Sequence, residues 1–255
     1  MGEVPVRAYG GVPAQTTQVD PKQPMWRVVS HEKGKAMRLI DLSHTVEAGM
    51  VTYKGLPAPV ICDYLSREAS RKVYAAGTEF QIGRIEMVGN TSTYIDSPFH
   101  RFADGKDLSE LRLESLANLP LLVSHVQPGR SRAIDQLPLS ASDVRGAAVL
   151  INTAWDAHWR TDAYFEGFPY LTRELARWLR DAGVALVGID SHNMDCTDTG
   201  ERPAHSTLLG ADIPIVEHLC GLSAVPPLGA KFFAVPVKVK GFGTFPVRAF
   251  AAVEE

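Results

Sequence analysis

The sequence predicts an α/β fold, a single domain with a mixed β-sheet core flanked by helices, behind an extended N-terminal arm. Three observations carry that prediction. "AAVLINTAW" (147–155) and "VALVGID" (184–190) are compact apolar runs bounded by turn signals, as buried strands are. Between them "LTRELARWLRDAG" (171–183) repeats Leu175, Ala176, Leu179 and Ala182 at helical spacing. Near both ends of the chain lie short apolar stretches broken by Gly and Pro, suited to further strands.

Residues 1–36 are rich in Gly, Pro, Gln and Thr and show no period. They read as an extended arm, either disordered or a strap across a neighbouring subunit, with the domain itself over 37–255. "MRLIDLSH" (37–44) opens that domain as a strand, and "VTYKGLPAPVICDYL" (51–65) adds extended segments. "FQIGRIEMVG" (80–89) alternates as a strand and delivers the chain to Asn90. A turn and short helical pieces are expected over 101–120. The helix after Leu171 has Thr172 as its cap and Gly183 as its end, giving a strand–helix–strand unit. "IPIVEHLCGL" (213–222) reads as a short strand or loop into a helix. "FFAVPVKVKGFGTFPVRAFAAV" (232–253) reads as two closing strands around a Gly-rich turn.

Composition narrows the function. The chain has 255 residues, 45% of them apolar and 22% charged, with a formal net charge of -3. No global field draws it to nucleic acid or an anionic membrane, and no basic cluster with interleaved aromatics occurs. Three isolated cysteines, Cys62, Cys196 and Cys220, argue against a disulfide scaffold or thiolate zinc site and fit a reducing cytoplasm. No apolar run approaches the ~18 residues of a membrane span. A nucleophile elbow, a P-loop and a dinucleotide fingerprint are all missing. A small-molecule substrate is the expected partner.

Two stretches could carry chemistry. "NTSTYIDSPFH" holds Asn90, Tyr94, Asp96 and His100, and in extended backbone Tyr94 and Asp96 point the same way. Pro98 keeps Ser97 out of the helical region, so His100 is placed by a bend. An ordinary turn is the bland alternative. The second stretch carries Asp190, His192, Asp195, Asp198, His205 and Glu217 and starts at the C-terminal end of a buried strand, where α/β sheets place ligand sites. His205 and Glu217 lie in apolar sequence, and a buried ionisable group needs a partner. The stretch "TAWDAHWRTDAYFEGFPY" (153–170) is either a pocket wall, a subunit contact or a packed aromatic loop.

These segments together resemble the cyclase family, to which bacterial kynurenine formamidase and isatin hydrolase belong. "IDLSH", the block 153–191, "HSTLLGADIPIVEHL" and "VKGFGTFPVRAF" all look like family sequence, and the resemblance runs from about Leu39 to Ala252. It implies a swivelling β/β/α-like fold, a homo-oligomer (dimer or tetramer) and hydrolysis of an amide, ester or lactone. The family signature H-x-G-T-H-x-D-x-P-x-H falls on residues 90–100. Thr93, Asp96, Pro98 and His100 agree with it; Asn90, Ser92 and Tyr94 do not. By the resemblance, Asp96, His205 and Glu217 form a retained set for one divalent metal, and His100 is the acid/base. Tyr94 and Asp96 would assist it, with Asn90 and Thr93 binding substrate. An amide oxygen and a phenol are poor zinc ligands, so the two-histidine position is expected to be lost. Manganese or zinc is the expected ion, with a metal-free site kept as the alternative. A metal-independent isomerase or cyclase using Tyr94, Asp96 and His100 stays open, as does a non-catalytic binding protein.

Overall fold

The computed structural model describes residues 36–126 and 131–254. The arm expected over 1–36 lies outside them, save its last residue. The strands are β1 Met37–Asp41, β2 Val60–Leu65, β3 Ile82–Glu86, β4 Tyr94–Asp96, β5 Leu119–His125, β6 Ala133–Ile134 and β7 Ala148–Asn152. They continue with β8 Tyr170–Leu171, β9 Leu186–Ile189, β10 Ile215–Glu217, β11 Ala230–Phe233, β12 Thr244–Pro246 and β13 Phe250–Glu254. The α-helices are α1 Arg67–Ser70, α2 Ala141–Val144, α3 Arg173–Ala182 and α4 Pro203–Leu209.

Nine strands form one sheet in the order β1-β13-β11-β5-β7-β9-β10-β4-β12. The centre, β5-β7-β9-β10, is parallel, and both wings are antiparallel. The sheet is mixed, as predicted, and it must also curl. β12 is one edge and β13 adjoins the other, yet only Val247–Ala249 separates them in sequence. Those few residues reach at most ~14 Å, whereas seven flat strand spacings would need ~34 Å. The segment after β1 meets the segment after β10 across the interior of the order: Cys220 N–H donates to Leu42 O (3.0 Å), beside a bridge between Ser43 and Leu219.

The curl creates two cores by strand alternation. Leu121, Val123, Leu150, Leu186, Val216 and Phe232 pack inside it. Leu122, Val149, Ile151, Val187 and Ile215 face outward beneath Leu175, Leu179 and Leu208 of the helices. Gly188 on the inner face leaves no room for a side chain, since a Cβ would lie 2.6 Å from Leu150 and 2.8 Å from Leu219. The helix α3 matches its prediction. Thr172 Oγ1 accepts from Leu175 N (3.2 Å), and Gly183 ends it at φ 79°. Burying Leu175 and Leu179 is worth ~2 kcal/mol each.

Four expectations need correction. The segment after His100 is mostly turns, with a single 3₁₀ turn at Leu113–Ser115. No α-helix follows β10; a 3₁₀ turn, Leu222–Ala224, stands there instead. The C-terminal segment holds three strands rather than two: β11 pairs with β13, while β12 between them in sequence pairs with β4. The helix α4 was not foreseen, although Pro203 at its first turn and the apolar Leu208 and Leu209 are its signals. Outside the main sheet, β2 and β3 pair as an exposed ribbon and β6 pairs with β8.

Asp190, just past β9, is fully buried and accepts from Thr153 N (2.9 Å) and Thr153 Oγ1 (2.6 Å). Burial raises its carboxyl to about 7, against the pull of those bonds. Its unfolded value is near ~3.9, so its stabilising protonation is complete below that and is lost as pH rises through 7. The Asp190 contribution to the urea midpoint should therefore decline between about pH 4 and 7, and Asp190→Asn should remove that part of the slope. An undiminished slope in the variant would refute the assignment.

Candidate active site

The site forms where β4, β10 and β12 meet α4. β4 lies between the other two, with Asp96 opposite both Ile215 and Thr244, and Tyr94 opposite Glu217. Alternation sends Ile95 into the inner core and turns Tyr94 and Asp96 toward α4. The same alternation turns Glu217 that way. His205 comes down from the first turn of α4 onto these carboxylates.

All three side chains of the expected metal set converge. Their ligating atoms lie within 4.8 Å of one another, and all three residues are buried. His205 Nε2 stands 3.6 Å from Asp96 Oδ2 and 3.6 Å from Glu217 Oε1. These distances are too long for hydrogen bonds. They are close to the ~3.0–3.5 Å separations that donors take when bound at ~2.1 Å around one ion. Asp96 Oδ2 is buried and has no hydrogen-bond partner, a costly state unless a cation occupies that face. The donor set therefore fits a divalent metal ion.

The three side chains are held from behind. Asp195 accepts from the backbone of Ala204 (2.7 Å) and His205 (3.0 Å), and its Oδ2 meets His205 Nδ1 at 2.7 Å. An acceptor there puts a proton on Nδ1 and turns Nε2 toward Asp96 and Glu217, where it could bind an ion. Glu217 Oε1 accepts from Met194 N–H, and Oε2 accepts from the Tyr94 hydroxyl at 2.6 Å. Asn90 lines the cavity beside that hydroxyl and works against the rise of its pKa. Of the two residues that depart from the family's histidines, Tyr94 thus braces Glu217.

Electrostatics agree with this picture. Burial, with the charges of Glu217 and Asp96, raises the Tyr94 phenol well above its usual range, so it stays a neutral donor. Burial and Asp96 raise Glu217 to about 7, while His205 opposes them. For His205 burial acts downward, but Glu217, Asp195 and Asp96 outweigh it and hold the imidazole well above its ordinary value. Two buried carboxylates thus retain positive charge between them.

His100 sits on a 3₁₀ turn, Pro98–His100, opened by extended Ser97 (φ -96°, ψ 166°). Its Nδ1 lies 2.6 Å from Thr244 Oγ1, which donates to Asp96 Oδ1 at 2.5 Å. A hydroxyl has one proton to give. With that proton on the Asp96 carboxylate, Thr244 must accept from Nδ1–H of His100. In the neutral ring Nε2 is then the bare nitrogen. Gly243 permits this approach, because a Cβ there would lie 2.5 Å from the His100 backbone nitrogen. Neither Thr244 nor Asp195 was assigned a role from sequence. Their partners lie 148 and 10 residues away, and only the strand register and the start of α4 reveal them.

A cavity of about 260 Å³ opens over the site, and Asn90, Tyr94, His100, His205 and Glu217 all line it. Thr93 does not: its buried hydroxyl donates to His218 O (2.5 Å) and accepts from His44 N (3.0 Å). It ties the loop to β10 instead of meeting substrate. The other acidic candidates separate as well. Asp198 pairs with Arg132 at the surface, and His192 packs against Tyr164, Phe165 and Phe168. The aromatic stretch 153–170 is a packed loop behind the site, with Trp159 stacked on His44 at 3.8 Å.

The chain is similar to a known enzyme family in both sequence and fold. The sequence profile described as "Putative cyclase" matches residues 40–196, and the chain belongs to the cyclase family. It is 32% identical over 169 residues to the kynurenine formamidase of Geobacillus thermodenitrificans, covering 66% of this chain and 78% of that one. The kynurenine formamidase of Bacillus anthracis is 26% identical over 84% of this chain and 97% of its own. Among solved structures, isatin hydrolase A from Labrenzia aggregata superposes with a TM-score of 0.67 at 21% identity, over 86% of this chain and 94% of that one. At that identity the likeness is one of fold. A protein described as a "Potential Metal-Dependent Hydrolase With Cyclase Activity" reaches 0.67 at 25% identity, over 86% and 100%. Among the described residues no helix is long and apolar enough to cross a membrane.

The proton arrangement at His100 is directly measurable. Nitrogen-15 NMR at neutral pH should show His100 as the Nδ1–H tautomer in wild type and in Thr244→Ser. In Thr244→Val it should move toward the Nε2–H form. An Nε2–H signal in wild type would contradict the Thr244 bond.

Proposed function

We propose that this protein is a metal-dependent hydrolase of a small amide, with one divalent ion held by Asp96, His205 and Glu217. The observation that carries the reading is the buried, partnerless Asp96 Oδ2 facing a histidine nitrogen that Asp195 has freed for ligation. The kynurenine formamidase relatives support a small amide as the substrate class. Two carboxylates balance a divalent charge, and the oxygen-rich set favours manganese over zinc.

When bound, such an ion supplies polarisation of a carbonyl and a lowered pKa for water at the site. The chain's own residues do the rest. His100 Nε2 takes a proton from the attacking water and returns it to the departing amine. Thr244 and Asp96 keep its ring in the tautomer that can do so. Tyr94 holds Glu217 at a fixed angle, and Asn90, on the cavity wall, orients the substrate.

The same hydroxyl count disfavours a metal-independent reaction built on Tyr94. Its proton is committed to Glu217, so the phenol cannot also donate to a substrate carbonyl. For the homo-oligomer, the exposed apolar side chains of the β2–β3 ribbon, Val60, Ile61, Ile82 and Ile85, are the supporting feature.

Manganese-loaded protein should hydrolyse formanilide or isatin, and chelation should abolish the turnover. His100→Ala should lower kcat by ~10²–10⁴-fold while leaving the thermal midpoint and metal content unchanged. Undiminished turnover in that folded variant would remove His100 from the reaction.

A further inference from the structure

The turn that follows β9, residues 190–195, is held almost throughout. Asp190 accepts from the backbone and hydroxyl of Thr153. Ser191 Oγ lies 2.8 Å from Pro169 O and 3.2 Å from Asn193 O, sharing its proton between them. Met194 O accepts from Leu171 N–H (2.9 Å), and Met194 N–H donates to Glu217. Asp195 takes the start of α4 and the Nδ1 proton of His205. The turn is thus bolted to two of the three side chains at the ion site.

One donor on this rigid turn is left over. Asp195 N–H donates to Asn193 Oδ1 at 2.9 Å, an Asx turn that fixes which end of the amide is oxygen. The other end, Nδ2, has no acceptor among the described residues. Asn193 is only 5% exposed, and it lines the cavity over Asp96, His205 and Glu217. Its NH2 is therefore a nearly buried donor that the contents of the cavity must satisfy. Neighbouring donors are already spent: Tyr94 gives its proton to Glu217, and His205 gives that of Nδ1 to Asp195.

We propose that Asn193 is a catalytic residue whose Nδ2–H donates to the carbonyl oxygen of the scissile amide and holds it as charge develops there. The reaction belongs to the hydrolase reading, on which this role rests; the hydrogen bond itself is a matter of binding. Attack joins the water oxygen to the carbonyl carbon, and the π pair moves onto the carbonyl oxygen. Collapse returns that pair as the C–N bond breaks, and the nitrogen takes the proton that His100 carried. A donor already fixed by its own turn needs no reorganisation to meet the oxyanion. His100 and Asn193 line one cavity of about 260 Å³, so a small amide held there meets base and donor together. Being neutral, the Asn193 amide also places no charge beside the buried carboxylates.

The test pairs formanilide with thioformanilide, in which sulfur, a weak acceptor, replaces the carbonyl oxygen. Calorimetry on chelated, full-length protein removes any preference of a metal for oxygen. The preference for formanilide should fall by about fivefold or more from wild type to Asn193→Ser. A serine hydroxyl can still accept from Asp195 N–H but carries no NH2 into the cavity. Asn193→Asp keeps both the Oδ1 acceptor and the volume, so it stays informative if the serine loosens the turn. With manganese, both variants should lose ~10²–10³-fold in kcat for formanilide. Metal content and thermal midpoint should stay unchanged, and KM should move no further than the binding does. An oxygen preference that survives in both folded variants, or binding of neither compound by wild type, overturns the assignment. Turnover separates the two readings. A preference that depends on Asn193 without hydrolysis sinks the hydrolase and keeps the donor; hydrolysis undiminished in both variants does the reverse.

Discussion

The structure is organised around two carboxylates, Asp96 and Glu217, buried within reach of one imidazole nitrogen. Such a placement is expensive without a compensating positive charge, because each carboxylate gives up its hydration. Most of the neighbouring structure serves to hold the pair there. Register fixes Asp96 and Tyr94 on the face of β4 that looks toward α4, and Tyr94 is directly opposite Glu217. Asp195 then pins the start of α4 and with it His205. A cation resolves the strain of this arrangement, and in its absence Glu217 and His205 keep protons they would otherwise lose.

Of the two positions at which the signature loses its histidines, Tyr94 now braces a carboxylate of this pair. The phenol donates to Glu217 Oε2 and so supports that carboxylate, while Asn90 stands beside it on the cavity wall. The closing of the sheet does comparable work on the other side. Because β12 pairs with β4, Thr244 stands opposite Asp96 and joins it to His100. One carboxylate thereby turns Oδ2 toward His205 and, through Thr244, uses Oδ1 to orient the His100 ring.

Much of the fold was legible in the chain because it rests on local rules. The helix α3 shows its cap, its apolar stripe and its terminal glycine within thirteen residues, and β7 and β9 show as apolar runs beside it. The curl of the sheet was not legible. It depends on β12 lying at one edge and β13 next to the other though only three residues separate them, a consequence of packing and not of any local pattern. The site divides in the same way. Asp96, His205 and Glu217 could be named from their matches to a family motif and from charge set in apolar sequence. Thr244 looks like an ordinary strand residue, and Asp195 is one acid among several. Thr93 matches the motif, yet its hydroxyl is consumed by the backbone of His44 and His218. Motif agreement reports ancestry; only geometry reports which atoms face the cavity.

Metal content tests the central claim most directly. Protein purified without a histidine tag or chelator, offered manganese and zinc, should retain about one ion per chain by mass spectrometry, in keeping with the single three-ligand group among the described residues. Asp96→Ala, folded by circular dichroism, should retain none. Retention of the ion in that variant, or no specific ion in the wild type, would contradict the account and leave the buried carboxylates to be explained by their protons alone.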